Sequence, residues 1–283
     1  MLRARPEVEQ PRFGRLLLFG CGNMGGAMLA GWLAGGFDPA GFTIVDPYLA
    51  AAPAGVTLLR EPPAGVGAFE VVVLGVKPQQ LAEAASAAAP LVGKETLLLS
   101  ILAGVDLASL RHHFPAADGI VRVMPNLSVA LGKSPIGLAG DVGPAARALT
   151  EQLMAPLGQA EWLAGEDRMD LVTALAGSGP AFVYRFIDAL AAGAADLGLP
   201  RDQADQLALA MVEGAAALAG QSEHAPGELA RRVASPGGTT QAGLDVLDAD
   251  GRLARLMEDT LRAARDRSIE MTGQAKKLSA TGS

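Results

Sequence analysis

The 283-residue chain has one cysteine, three histidines and only 4 % aromatic residues. A lone Cys21 excludes an intramolecular disulfide framework and fits a reducing compartment. His112, His113 and His224 have no metal-ligand spacing, so no metal site is expected. Basic runs are missing too. Twenty-three Lys and Arg against 30 Asp and Glu give a net charge of −7 and a pI near 5.0, which excludes the basic footprint of a nucleic-acid binder. Half the residues are apolar and the mean hydropathy is +0.28, yet no run approaches the roughly 20 uninterrupted apolar residues of a membrane span. The best candidate, Leu171 to Leu190, contains Arg185 and Asp188 and reads as a buried helix. Residues 1–12 are charged and proline-containing, and Leu16–Phe19 is too short for a signal core, so the cytoplasm is the expected location.

What is present divides into two textures. The first half alternates short apolar runs with Gly/Pro breaks: Arg15–Phe19, Thr43–Val45, Val71–Val76, Thr96–Leu102 and Ile120–Met124 read as strands. Several are apolar on both faces, as a parallel sheet covered by helices requires. Ser134–Ala139 and Ala160–Leu163 are candidate edge strands. Beyond about Gly165 the pattern is helical and Ala-rich, over Asp170–Leu197, Arg201–Gly220 and Leu253–Thr272. The expected organisation is an N-terminal extension (1–12), an α/β Rossmann-type doubly wound domain (13–164), an all-α domain (165–273) and a flexible tail (274–283). The helices are too apolar for a freestanding bundle, which implies pairing with a second copy of the chain.

Gly20, Gly22 and Gly25 form a G-x-G-x-x-G loop between the first strand and a helix. Such glycines allow a tight turn and let backbone N–H groups approach a pyrophosphate at the helix N-terminus. The next strand ends at Asp46, where a carboxylate accepts from a ribose hydroxyl and repels a 2′-phosphate, leaning toward NADH; Arg60 is the nearby cation. Asp46 could instead serve only as a cap on the turn with Pro47. In an open parallel sheet, ligands bind beyond the carboxyl ends of the strands. Lys77-Pro78 and Asn126 fall there, and join the loop residues Asn23 and Met24 as candidate cofactor contacts.

In the helical half, Gly177-Ser178-Gly179-Pro180 reads as a helix start with Ser178 as cap. Ser235-Pro236-Gly237-Gly238-Thr239-Thr240 precedes a helix expected from about Gln241 and offers N–H groups and hydroxyls to a small carboxylate. Glu223 lies upstream in a loop.

These segments, in this order and spacing, resemble pyrroline-5-carboxylate reductases from about Arg15 to Leu278. The resemblance rests on the glycine loop with Asn23-Met24, Val76-Lys77-Pro78, Met124-Pro125-Asn126, Gly177–Ala181 and Ser235–Thr240 followed by Ala242-Gly243-Leu244. It implies reduction of 1-pyrroline-5-carboxylate to L-proline with NADPH or NADH, and a homodimer through the C-terminal helices, in some members a ring of dimers. It also implies a substrate loop of Ser235, Gly238, Thr239 and Thr240, with Glu223 as the substrate-facing acid. Two departures stand out: Leu127-Ser128 follows the Met-Pro-Asn triplet where many relatives carry Thr, and Asp46 replaces the neutral or basic residue of NADPH-preferring members.

A mechanism follows in which the Gly238 and Thr239 N–H groups hold the carboxylate, the Thr240 hydroxyl meets the ring nitrogen and Glu223 stabilises its charge. Thr240 and Glu223 are then the catalytic pair. A β-hydroxyacid dehydrogenase would need a lysine early in the helical half, and none lies between Lys133 and Lys276. Two rival readings stay open, a reductase of a related cyclic imine and a non-catalytic dinucleotide sensor.

Overall fold

The computed structural model describes residues 14–64 and 69–281, with side chains as far as residue 273. The expected N-terminal extension lies outside the described residues. Along the chain run β1 (Leu16–Phe19), α1 (Asn23–Ala34), β2 (Phe42–Val45), β3 (Thr57–Leu59), β4 (Val71–Leu74), α2 (Leu81–Ala88), β5 (Leu97–Ser100), α3 (Leu107–His113), β6 (Gly119–Met124), β7 (Ser134–Ala139), α4 (Pro144–Met154) and β8 (Gly158–Trp162). These are followed by α5 (Met169–Val172), a π-helical turn (Thr173–Gly177), α6 (Gly179–Asp196), α7 (Arg201–Gln221), α8 (Pro226–Val233), α9 (Thr239–Asp248) and α10 (Arg252–Thr281).

The strands form one sheet in the order β3-β2-β1-β4-β5-β6-β7-β8. β1 to β6 are parallel, β7 is antiparallel to β6, and β8 is parallel to β7. The apolar strands are sorted by their period of two. Leu16, Leu18, Ile44, Val71 and Val73 join Trp32 and Met28 of α1 on one face. Leu17, Val72, Leu74 and Leu98 join Leu81 and Leu110 on the other. Trp32 anchors its face, stacking on Phe42 at 5.6 Å and donating Nε1–H to the Leu153 carbonyl at 2.7 Å.

The expected strands are all present, shortened where the chain turns at Gly75 and Ile101. The three-residue β3 was not anticipated, being short and partly exposed. The helix start expected at Gly177-Ser178-Gly179-Pro180, within the helical stretch Asp170–Leu197, is present, with α6 beginning at Gly179; the π turn before it was not anticipated. Two helical expectations need correction. Ser178 stands at the N-cap of α6 but makes no side-chain capping bond. The last helix runs to Thr281, past the expected end at Thr272.

The chain divides into two compact units. The sheet unit holds described residues 14–177 and 263–281, so it extends beyond residue 164. Residues 165–177 stay with the sheet for specific reasons. Glu166 pairs with buried Arg122 at 2.8 Å, and the same oxygen accepts Leu107 N–H at 2.7 Å. Met169 packs on Met124 and Ala139, and Asp170 accepts the Ser268 hydroxyl of α10 at 2.6 Å.

The helical unit, residues 178–262, is built on the α6–α7 hairpin. Arg201 clamps its turn, bonding Asp188 at 2.9 Å and Asp205 at 2.8 Å. Only Ala191 and Ala204 of this unit are buried, which is too little for a core. Val183, Phe186 and Leu190 form an exposed stripe along α6, as do Leu207, Met211 and Leu218 along α7. Stripes of this kind require cover.

Candidate active site

The strand order reverses between β1 and β4, and the glycine loop leaves β1 at that switch point. Gly20 adopts φ +86°, and a Cβ there would sit 2.8 Å from Val76 Cγ1 and 2.9 Å from Val76 N. Only glycine lets the two loops approach so closely. Gly22 is different: a Cβ there meets no protein atom within 4 Å. The space in front of it opens into a cleft of about 520 Å³, lined among others by Gly20, Gly22, Asp46, Tyr48, Arg60 and Lys77. A bare backbone at the N-terminus of α1, facing an open cleft, fits a pyrophosphate.

Asp46 organises this cleft. Its Oδ2 accepts Cys21 N–H at 2.8 Å, and its Oδ1 accepts the N–H groups of Tyr48 at 2.8 Å and Leu49 at 3.0 Å. The carboxylate thus ties the glycine loop to the turn after β2, so it does cap that turn, and one acceptor position on Oδ2 remains for a ligand hydroxyl. Arg60 follows β3 and folds back on the same turn. Its guanidinium donates to the carbonyls of Asp46, Pro47, Leu49 and Ala50. Sequence alone left its place open because the path of residues 50–59 was not readable. Burial, together with the Asp46 charge, pushes the Cys21 thiol from its ordinary 9.0 up to about 11. It is a neutral filler of the loop.

Lys77 is exposed and lines the cleft, with Pro78 opening the short 3₁₀ turn after it. Asn23, Met24 and Gly25 form the first turn of α1 rather than the cleft wall. Asn126 reaches the same sheet edge but is buried, away from the cleft lining. Tyr48, Gln80 and Glu83 also line the cleft and were missed, having no motif to mark them. Among the described residues no group of three or more potential metal ligands occurs, and no helix is long and apolar enough to cross a membrane.

In the helical unit, Ser235–Gly238 makes a turn with Gly237 at φ +70°. The α9 helix starts at Thr239, two residues earlier than expected. The Gly238 N–H is already donated to the Ser235 carbonyl at 2.9 Å, which removes it as a carboxylate donor. The first-turn N–H groups of Thr239 and Thr240 have no intrahelical partner. Glu223 is exposed in the α7–α8 loop.

Residues 166–271 match the family model described as pyrroline-5-carboxylate reductase dimerisation. The chain is 36 % identical over 267 residues to the pyrroline-5-carboxylate reductase of Pseudomonas aeruginosa, covering 92 % of this chain and 97 % of that one. It belongs to the pyrroline-5-carboxylate reductase family.

Two solved family structures extend the likeness. A pyrroline-5-carboxylate reductase from Coxiella burnetii is 30 % identical with a TM-score of 0.86, covering 92 % of this chain and 99 % of that one. The Plasmodium falciparum pyrroline carboxylate reductase, solved with NADP bound, shares the fold at 23 % identity and a TM-score of 0.78, covering 93 % and 100 %. The reductase family's dimerisation region begins at residue 166, so it takes in α5 and the π turn as well as the helical unit.

Proposed function

We propose that this family member catalyses the NAD(P)H-dependent reduction of 1-pyrroline-5-carboxylate to L-proline, an oxidoreductase reaction ending proline biosynthesis. One observation carries the reading: kinship to reductases of that name over more than nine-tenths of the chain, spanning the dinucleotide half and the Ser235–Thr240 loop. Bound nicotinamide dinucleotide supplies a hydride to the imine carbon. The chain's own residues bind, orient and stabilise charge, a positioning task able to remove several kcal/mol of barrier.

In this reading the substrate carboxylate is held by the Thr239 and Thr240 N–H groups, supported by the Gly238 bond that leaves those two as donors. The Thr240 hydroxyl meets the protonated ring nitrogen and Glu223 balances its positive charge. Ser235 and Gly238 shape the loop. Gly20, Gly22 and the first-turn N–H groups of α1 (Asn23, Met24, Gly25) cradle the pyrophosphate, with Lys77 and Pro78 at the nicotinamide edge.

The cofactor preference leans to NADH. The Asp46 carboxylate keeps one acceptor position for a ribose hydroxyl and repels a 2′-phosphate, while Arg60 spends its donors on the turn beneath. The exposed stripes of α6 and α7 pair with a second copy in a homodimer, which larger rings can repeat; residues 165–273 serve substrate binding and dimerisation. A cytoplasmic site of action suits the single buried cysteine.

The test is steady-state oxidation of NADH and NADPH with racemic pyrroline-5-carboxylate. Substrate-dependent oxidation with the higher kcat/KM for NADH is expected. No oxidation of either by folded, dinucleotide-binding protein would overturn the reading in favour of the sensor.

A further inference from the structure

We infer that Asn126 is a positioning residue of the reductase, acting through the carbonyl of Ala176 to hold the π-helical turn 173–177 in its distorted form. Asn126 leaves β6 at the carboxyl edge of the sheet, the edge that carries the glycine loop. It is only 6 % exposed, and each of its polar groups is bound. Its N–H goes to Ser134 Oγ at 3.0 Å, and its Oδ1 accepts the N–H of Ser128 at 2.9 Å and that residue's hydroxyl. Those donors fix the amide orientation, so Nδ2 faces the Ala176 carbonyl and donates to it at 2.9 Å.

That carbonyl needs such a partner. In a regular helix Ala176 would accept from the N–H four residues on, which is Pro180. Proline has no N–H, and its ring presses on the carbonyl four residues back. Pro180 therefore has no N–H to offer the Ala176 carbonyl, and Asn126 donates to it instead. Two side chains in different parts of the sequence enforce the same irregularity, directly over Met124 at the end of β6: a Cβ on Gly177 would lie 4.0 Å from Met124 Sδ. Single π turns inside α-helices are commonly functional. This one ends where the chain leaves the sheet unit for Ser178-Gly179-Pro180.

The inference rests on the reductase reading, whose own failure would show as an inactive parent protein. Its test separates fold from geometry with Asn126→Ala made in the parent and in Pro180→Ala. In the parent, Asn126→Ala leaves a buried carbonyl unpaired, and both the melting temperature and kcat should fall. With alanine at position 180, a backbone N–H can take the carbonyl in an ordinary helical bond. There Asn126→Ala should cost less melting temperature than in the parent, only what the two Oδ1 bonds from Ser128 contribute, yet still lower kcat by about 10-fold or more, because the turn is free to relax. If kcat recovers along with melting temperature in the double variant, Asn126 serves stability alone and the inference is overturned. Should the single variant not fold, the comparison of Pro180→Ala with the double variant gives the same decision.

Discussion

Replacing Asp46 by asparagine tests how one carboxylate both builds the cleft and reads the cofactor. The amide of Asp46→Asn would keep Oδ1 and with it the bonds from Tyr48 and Leu49, but would turn an NH₂ toward the Cys21 N–H that Oδ2 now accepts at 2.8 Å. A hydrogen bond to a charged group is worth about 1.5–3 kcal/mol, and this part-buried one falls near the lower end, about 2 kcal/mol. At about 2–4 °C per kcal/mol for a domain of this size, the melting temperature should drop by about 4–8 °C. The charge change acts separately. With the carboxylate neutralised, the Arg60 guanidinium against the same turn is left as the local charge. Removing about 1–2 kcal/mol of repulsion at the exposed ribose site corresponds to roughly a 10-fold move of the NADPH-to-NADH ratio of kcat/KM toward NADPH. Differential scanning fluorimetry and steady-state kinetics read the two effects. An unchanged melting temperature would refute the loop-tying role, and an unchanged ratio would refute the discrimination by charge.

Four further outcomes are expected. Gly20→Ala, forced to φ +86° and to within 2.8 Å of Val76, should weaken dinucleotide binding at least about 10-fold in a fluorescence titration; unaltered affinity would contradict the close approach of the two loops. Thr240→Ala should lower kcat about 10- to 100-fold, the worth of one charge-assisted bond, and an unchanged rate would remove its assigned role. Cys21, pushed up to about 11, stays a neutral thiol at pH 8.5, so thiolate-specific alkylation should run roughly 50- to 100-fold slower than for a free thiol, and labelling at the free-thiol rate would contradict the burial. Phe186→Asp places a charge in the exposed stripe of α6 and should shift the protein from dimer to monomer in light scattering; an unaltered mass would exclude that stripe from the interface.

The inner strands β1, β2 and β4 were legible because they are apolar on both faces and meet a glycine or proline within two residues, signals local to a few residues. The glycine loop was legible for the same reason, its meaning set by the strand before and the helix after. What escaped depended on distant partners. The glycines and proline at 177–180 mark a break in the helical pattern of 170–197, but nothing local to it reveals that Asn126 takes the Ala176 carbonyl. The reverse direction of β7 follows from a short turn after Asn126 rather than from its own residues. Arg60 is an ordinary surface cation until β3 folds it back beneath Asp46. Gly238 looks like an available donor until the Ser235 turn closes on it.

Product stoichiometry tests the reduction of 1-pyrroline-5-carboxylate to L-proline at its chemical outcome. Purified protein is supplied with pyrroline-5-carboxylate, or with its six-membered homologue, and limiting NADH or NADPH, and the amino acid formed is quantified by chiral chromatography. One L-proline per reduced dinucleotide consumed, with the six-membered imine turned over far more slowly, is the expected result. Dinucleotide consumed without proline, or preferential reduction of the larger ring, would contradict it.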